Sequence, residues 1–228
     1  MGIPQIKPYP MPSKENLPEN KVSWTLMPER SLLLIHDMQQ YFLNPFTPKT
    51  SPIIELVSNI GVLRDEARKK GIPIVYTAQP GAQHPEDRRL LTDFWGPGLD
   101  DSKHLTKIID ELSPSDEDTV LTKWRYSAFK RSELLQIMEK SGRDQIIICG
   151  VYAHIGCLMT AGEAFMLDQQ AFLVADAVAD FSEEDHRMAL KYAAGRCART
   201  LTVEDVLFDW SEQSTFSLMK EKTGHAVR

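Results

Sequence analysis

The sequence predicts a three-layer α/β domain, α-β-α, built on a mainly parallel sheet of about six strands. Short apolar runs alternate along the chain with segments whose apolar residues recur at helical spacing, the pattern of strands joined by right-handed helical crossovers. Several runs also end in a polar side chain suited to chemistry: Asp37, Gln79, Lys123 and Tyr152. In an open parallel sheet the carboxyl ends of the strands face one crevice, so these four residues are expected to meet.

Each element has its own signal. Residues 1–30 carry Pro4, Pro8, Pro10, Pro12, Pro18 and Pro28, which forbids regular helix and predicts an extended arm lying across the domain or a neighbour, with no part in the chemistry. The domain then spans 31–210. Its first strand is the run Ser31 to Asp37, and Ile53, Ile54, Leu56, Val57, Ile60, Leu63 and Ala67 form a helix that Gly71 stops. The second strand is Ile72 to Ala78. Residues 80–118 hold Pro80-Gly81, His84-Pro85 and Asp93-Phe-Trp-Gly-Pro-Gly98, too long for an ordinary connection, and the aromatics beside the breakers predict an ordered lid. Thr119 to Thr122 is a strand leading into Lys123, and Ser132 to Gly142 a capped amphipathic helix. A strand follows at Gln145 to Cys149, then a helix from near Gly156 to Leu167 and a strand from Ala171 to Asp176. Ser182 with Asp185 caps a helix through Ala194, Ala198 to Val203 is the last strand, and 211–228 is a tail.

Composition narrows the function. The 228 residues carry a net charge of −6 with no Lys/Arg-rich block, so nucleic acid is not an expected partner. Cys149, Cys157 and Cys197 are too few and too irregularly spaced for a disulfide framework or a paired-cysteine zinc site, which fits a reducing cytoplasm. No apolar run approaches the ~18 residues of a membrane span, and the N-terminus lacks a signal-peptide core. His36 and His154 stand in no metal-ligand spacing, so neither metal nor cofactor is expected.

The strand-end residues can be read structurally or chemically. Asp37 either caps a turn or acts as a general acid or base, and Lys123 either makes a structural ion pair or tunes that acid. Gln79 and Arg88 suit a carboxylate-bearing substrate. The segment Gly150-Val-Tyr-Ala-His-Ile-Gly-Cys157 joins strand to helix, where backbone N–H groups after Gly156 can meet an anion. Cys157 is either a nucleophile activated at a helix N-terminus or an inert buried thiol.

Taken together, Leu-Leu-Ile-His-Asp37-Met-Gln, Val-Tyr-Thr-Ala-Gln79-Pro, Asp-Phe-Trp95-Gly-Pro-Gly, Leu-Thr-Lys123-Trp-Arg-Tyr-Ser-Ala-Phe129, Gly-Val-Tyr152-Ala-His-Ile-Gly156-Cys and Val-Ala-Asp-Ala-Val-Ala-Asp180-Phe-Ser closely resemble the isochorismatases, over about residues 3 to 205. The resemblance implies an isochorismatase-like hydrolase fold. It implies hydrolysis of the vinyl ether of isochorismate to pyruvate and 2,3-dihydro-2,3-dihydroxybenzoate in siderophore biosynthesis, or of the 2-amino analogue in phenazine synthesis. The related cysteine amidases use an Asp, a Lys and a Cys, and alignment with their motif puts Gly156, not Cys157, at the nucleophile position. The implied catalytic set is therefore Asp37, Lys123 and Gly156, with substrate contacts from Gln79, Arg88, Trp95, Tyr152 and Phe42.

The physical chemistry agrees with an acid. A vinyl ether offers no electrophilic carbonyl; its terminal carbon must accept a proton, giving an oxocarbenium ion that water captures. Lys123 holds Asp37 ionised, and a substrate with two carboxylates relieves that hold on binding. Relatives of this kind often carry an aryl carrier domain, for which Trp210 to Arg228 is too short, and they often form homo-oligomers. A siderophore synthetase or carrier protein is the expected protein partner. A non-catalytic docking module and a Cys157 thiol amidase are the competing readings.

Overall fold

A computed structural model describes residues 3–211. Six strands, β1 Ser31–His36, β2 Ile74–Ala78, β3 Thr119–Thr122, β4 Gln145–Val151, β5 Gln170–Ala179 and β6 Ala198–Leu201, form one sheet in the order β3-β2-β1-β4-β5-β6. Every neighbouring pair is parallel. The helices are α1 Gln40–Leu43, α2 Ile53–Lys69, α3 Pro85–Arg88, α4 Leu91–Trp95, α5 Lys103–Thr106, α6 Leu134–Lys140, α7 Leu158–Met166 and α8 Glu183–Arg196, and 203–211 is also helical. No helix among the described residues is long and apolar enough to cross a membrane.

Alternation along β1 builds the three layers. Leu33 and Ile35 pack with Leu56, Ile60, Leu63 and Ala67 of α2 and with Trp210, while Leu32 and Leu34 pack on the other face with residues of α6, α7 and α8 such as Leu134, Leu158 and Leu190. Burying each such side chain stabilises the fold by about 1.5–3 kcal/mol. α2 ends as its sequence requires: Gly71 takes φ of 63° and Ile72 N–H donates to the Ala67 carbonyl at 2.9 Å.

Several boundaries differ from expectation. β2 starts at Ile74 because Pro73 has no N–H to give the ladder. β4 and β5 continue to Val151 and Ala179, with a register shift between Ile148 and Gly150 that bends the pair past Asp176. β6 stops at Leu201 because Thr202 caps the final helix, its hydroxyl accepting from Asp205 N–H at 3.3 Å, which draws Val203 into that helix. β3 is an edge strand and largely exposed, so the sheet is not covered on both faces there. The segment 80–118 divides in two: α3 and α4 lie over the crevice, whereas Ile108, Ile109 and Leu112 are buried against the α2 side of the core. Residues 212–228, most of the expected tail, lie outside the described residues.

The arm of residues 3–30 lies across its own domain. Asn20 bonds both backbone groups of Thr200, its side chain accepting at 2.7 Å and donating at 2.8 Å, which occupies the free edge of β6. Ile6, Tyr9 and Leu26 are buried. Tyr9 is pinned by its hydroxyl, which accepts from Asp180 N–H at 2.7 Å and stands 3.2 Å from His186 Nδ1. His186 Nε2 lies 3.0 Å from the Ala175 carbonyl, which can only accept, so Nε2 carries the hydrogen and Nδ1 receives the Tyr9 hydroxyl. Tyr9→Phe strands a buried N–H and a buried imidazole nitrogen. It is expected to lower unfolding stability by about 1–3 kcal/mol in urea titration at unchanged m-value.

Candidate active site

β1, β2 and β3 step outward from the sheet centre in one direction and β4, β5 and β6 in the other, so the order reverses between β1 and β4. Parallel sheets open a crevice at such a point, above the strand carboxyl ends. Asp37 follows β1 there in the left-handed region, φ 51°, which an Asp tolerates better than most residues. Thr77 fixes it: the Thr77 hydroxyl accepts from Asp37 N–H at 3.1 Å and donates to Asp37 Oδ1 at 2.5 Å. His36 and Thr77 are paired in the parallel register, so the clamp follows from strand pairing.

The other carboxylate oxygen belongs to Lys123. Lys123 follows β3, its N–H donates to the Ala78 carbonyl at 2.9 Å, and its Nζ donates to Asp37 Oδ2 at 3.1 Å. Asp37 is 4% and Lys123 3% exposed. Burial pushes the Asp37 carboxyl up, but Lys123 and the hydrogen bonds from Thr77 and Lys123 oppose it and the group stays below the usual aspartate value. The site therefore contains an ionised carboxylate clamped on both oxygens.

All eight residues expected at the site line one cavity: Asp37, Lys123, Gly156, Gln79, Arg88, Trp95, Tyr152 and Phe42. Gln79 is presented by Gln39, whose buried amide accepts from Gln79 N–H at 2.7 Å and donates to the carbonyls of Gln79 and Thr106 at 2.9 and 2.7 Å. Arg88 is 4% exposed, and its Nε donates to the Gly96 carbonyl at 2.6 Å. It pairs with no carboxylate among the described residues. Burial lowers its guanidinium below the usual arginine value. Gly98, at φ 80°, makes room for it, since a Cβ there would fall 2.5 Å from Arg88 Cζ. Trp95 is held over the cavity by its indole N–H, which donates to the Tyr126 hydroxyl at 2.8 Å.

On the β4 side the Val151–Tyr152 peptide bond is cis. The Tyr152 hydroxyl donates to the Phe42 carbonyl at 2.6 Å, and its ring packs with Phe46 and Phe181. The helix expected to begin near Gly156 is preceded by a π-helical turn, Ala153–Cys157, in which Cys157 N–H reaches back to the Tyr152 carbonyl at 3.2 Å. The turn is anchored by Asp180, which accepts from His154 N–H at 2.6 Å and from Phe181 N–H at 2.9 Å and pairs with His154 Nδ1 at 2.6 Å.

The thiol reading and the possible metal ligands meet the geometry here. Cys157 does not reach the cavity; it is fully buried beside Ala153, Leu158 and Ala161, and burial raises its thiol well above the usual cysteine value. An un-ionised, enclosed thiol is not a nucleophile. Among the described residues, His154, Asp180 and Asp185 bring possible metal-ligand atoms within 4.8 Å of one another. Asp180 is already engaged by His154 and two backbone N–H groups, and Asp185 by Ser182.

Sequence reading missed Thr77, Gln39, His36 and Tyr126, whose roles depend on cross-strand register or on side-chain to backbone bonds between distant segments. All four stand in motifs already singled out, but nothing in those motifs says which distant group each one holds. The arm was expected to stand apart from the chemistry, yet Ile3 lines the cavity.

The isochorismatase domain matches residues 31–205. The chain is 61% identical over 207 residues to a Bacillus subtilis protein named isochorismatase, covering 91% of this chain and 66% of that protein. It is 52% identical to enterobactin synthase component B of Escherichia coli, covering 91% and 73% of the two chains. It is also 52% identical to phenazine biosynthesis protein PhzD1 of Pseudomonas aeruginosa, covering 90% and 99%. The domain match covers the whole sheet, from β1 through β6, and every strand-end residue of the cavity, and with it the chain belongs to the isochorismatase family of hydrolases.

Proposed function

We propose that this chain hydrolyses the vinyl ether of isochorismate to pyruvate and 2,3-dihydro-2,3-dihydroxybenzoate by general-acid catalysis from Asp37. The observation that carries the reading is a buried guanidinium, Arg88, with no carboxylate partner among the described residues, facing the same cavity as the Asp37–Lys123 pair. A buried charge left unpaired is costly, and an anionic ligand offsets that cost with charge-assisted hydrogen bonds. One substrate carboxylate meets Arg88 and the other meets Lys123. Gln79 and the Gly156 segment orient the ring, and Trp95, Tyr152 and Phe42 exclude water.

Drawing Lys123 towards the substrate frees Asp37 Oδ2 and adds negative charge beside it, and both effects raise the carboxyl. Asp37 then takes a proton, passes it to the enolpyruvyl methylene and, ionised again, faces the oxocarbenium ion until water adds. The adduct loses a proton to the medium, and the hemiketal so formed collapses, its hydroxyl proton passing to the departing ring oxygen as the ether C–O bond breaks to release pyruvate. The lid role of α3 and α4 belongs to this reading: Arg88 and Trp95 stand on them, and Asp87 accepts from Arg131 at 2.7 Å, linking them to the segment after Lys123. The proposed partner is a siderophore synthetase or its carrier protein; the Escherichia coli relative is named as a component of enterobactin synthase.

A second reading, hydrolysis of the 2-amino analogue, is favoured by the equal identity to the phenazine biosynthesis protein. The same acid serves both, and the substrates differ only in the ring substituent.

Pyruvate release from isochorismate, coupled to lactate dehydrogenase, tests the reading. Asp37→Asn is expected to lose about 10²–10⁴-fold in rate, the range general-acid catalysis supplies, while Cys157→Ala retains native turnover. Native turnover in Asp37→Asn, or none in Cys157→Ala with fold intact, contradicts it; release only from the amino analogue selects the second reading. Arg88→Met is expected to raise KM by about 10–100-fold with a smaller change in kcat, since it removes ground-state recognition of a carboxylate. An unchanged KM removes Arg88 from the substrate site.

A further inference from the structure

His36, the last residue of β1, is 1% exposed and lies between Asp37 and Gly156 on the cavity floor. Its Nδ1 stands 2.8 Å from the Val151 carbonyl oxygen, and its Nε2 stands 3.4 Å from that of Tyr126. A carbonyl only accepts, so the short contact gives the hydrogen to Nδ1. Burial lowers the imidazole to about 4, so the ring is neutral near pH 7. Nδ1 is 3.7 Å from Asp37 Oδ2, near enough to touch the carboxylate without binding it.

The surroundings are cut to this residue. A Cβ on Gly156 would fall 2.1 Å from His36 Cε1 and 2.7 Å from Nε2, and a Cβ on Gly150 would fall 2.1 Å from the His36 carbonyl oxygen. Two glycines on the opposite side of the switch point therefore leave their space to one histidine. The ring is also held by the carbonyl of Val151, the last residue of β4, which Tyr152 separates from the turn that carries Gly156.

We propose that His36 and Gly156 are one steric unit that positions Asp37: the ring fills the space a side chain at 156 would need and forms the wall that keeps the Asp37 carboxyl turned towards the cavity. The inference rests on Asp37 being the acid, but its steric half stands without that reading. It follows that a thiol introduced at 156 meets the ring before it can meet a substrate, so the missing nucleophile cannot be restored by one substitution. His36 acts through Asp37 and through shape; it is a positioning residue, not a proton donor.

The test uses the full chain and five proteins: native, Gly156→Ala, His36→Ala, the double variant and His36→Asn. Gly156→Ala alone is expected to lower the melting temperature and to cut kcat for pyruvate release by about 100-fold, whereas in the His36→Ala background it costs less than about threefold more, the signature of coupled sites. His36→Ala is expected to lower kcat with KM within about threefold, a loss of acid placement and not of substrate binding. His36→Asn, whose amide N–H can still reach the Val151 carbonyl, is expected to recover part of that kcat. Additive effects of the two alanines on both melting temperature and kcat, or native kcat in His36→Ala, overturn the proposal. If the native protein releases no pyruvate, the functional reading fails by itself. The melting-temperature cycle and the Asp37 carboxyl titration by carbon-13 NMR then decide this one: non-additive melting and a titration displaced in His36→Ala support it, and additivity or an unmoved titration overturns it.

Discussion

An ionised carboxylate held out of water is the constraint around which this molecule is organised. Asp37 keeps its charge because Lys123 and Thr77 each take one of its oxygens, and because its backbone bends into the left-handed region at the end of β1. Burying a carboxylate with no such partners is prohibitive, and removing one partner of a buried pair costs about 3–5 kcal/mol. The three groups come from three neighbouring strands, so sheet order and register are preconditions of the charge. A one-residue slip of β2 against β1 would turn Thr77 to the other face.

The second half of the sheet supplies what the first lacks. β4 runs into a tight π-helical turn that Asp180, just past β5, anchors, and this brings Tyr152, Gly156 and Phe181 against the acid without adding a charge beside it, since burial holds the Tyr152 phenol well above its usual value. The segment above contributes the opposite kind of residue, a guanidinium buried against loop backbone with no acidic partner among the described residues. In the proposed reading, a carboxylate held ionised and a cation with no anion among the described residues form a site that a dianionic substrate completes. Charge balance thus links the fold to the chemistry more directly than shape does.

Much of this was legible in the sequence because it depends on local pattern. Apolar runs ending in Asp37, Gln79, Lys123 and Tyr152 mark strand ends whatever their partners, and parallel topology then fixes that they converge. The illegible part depends on partners chosen at long range. Nothing near Thr77 announces that its hydroxyl clamps Asp37, nothing near Gln39 that its amide mimics a strand for Gln79, and nothing in the proline-rich arm that Ile3 reaches the cavity. Asp176 misled for a related reason. It looks like a strand end, but its carboxylate accepts from Val203 N–H at 2.8 Å, which lets β5 run past it.

The central claim is that Asp37 is ionised in the free protein and becomes an acid only when an anionic substrate displaces the hold of Lys123. Proton linkage measures this directly. A non-hydrolysable isochorismate analogue is titrated by calorimetry near neutral pH in buffers of different ionisation enthalpy, with the native chain and Asp37→Asn. Since a proton taken up on binding makes affinity fall as pH rises, the account predicts uptake of about one proton and roughly tenfold weaker binding per pH unit, both absent in Asp37→Asn. Tight binding with no proton uptake by the native chain would contradict it.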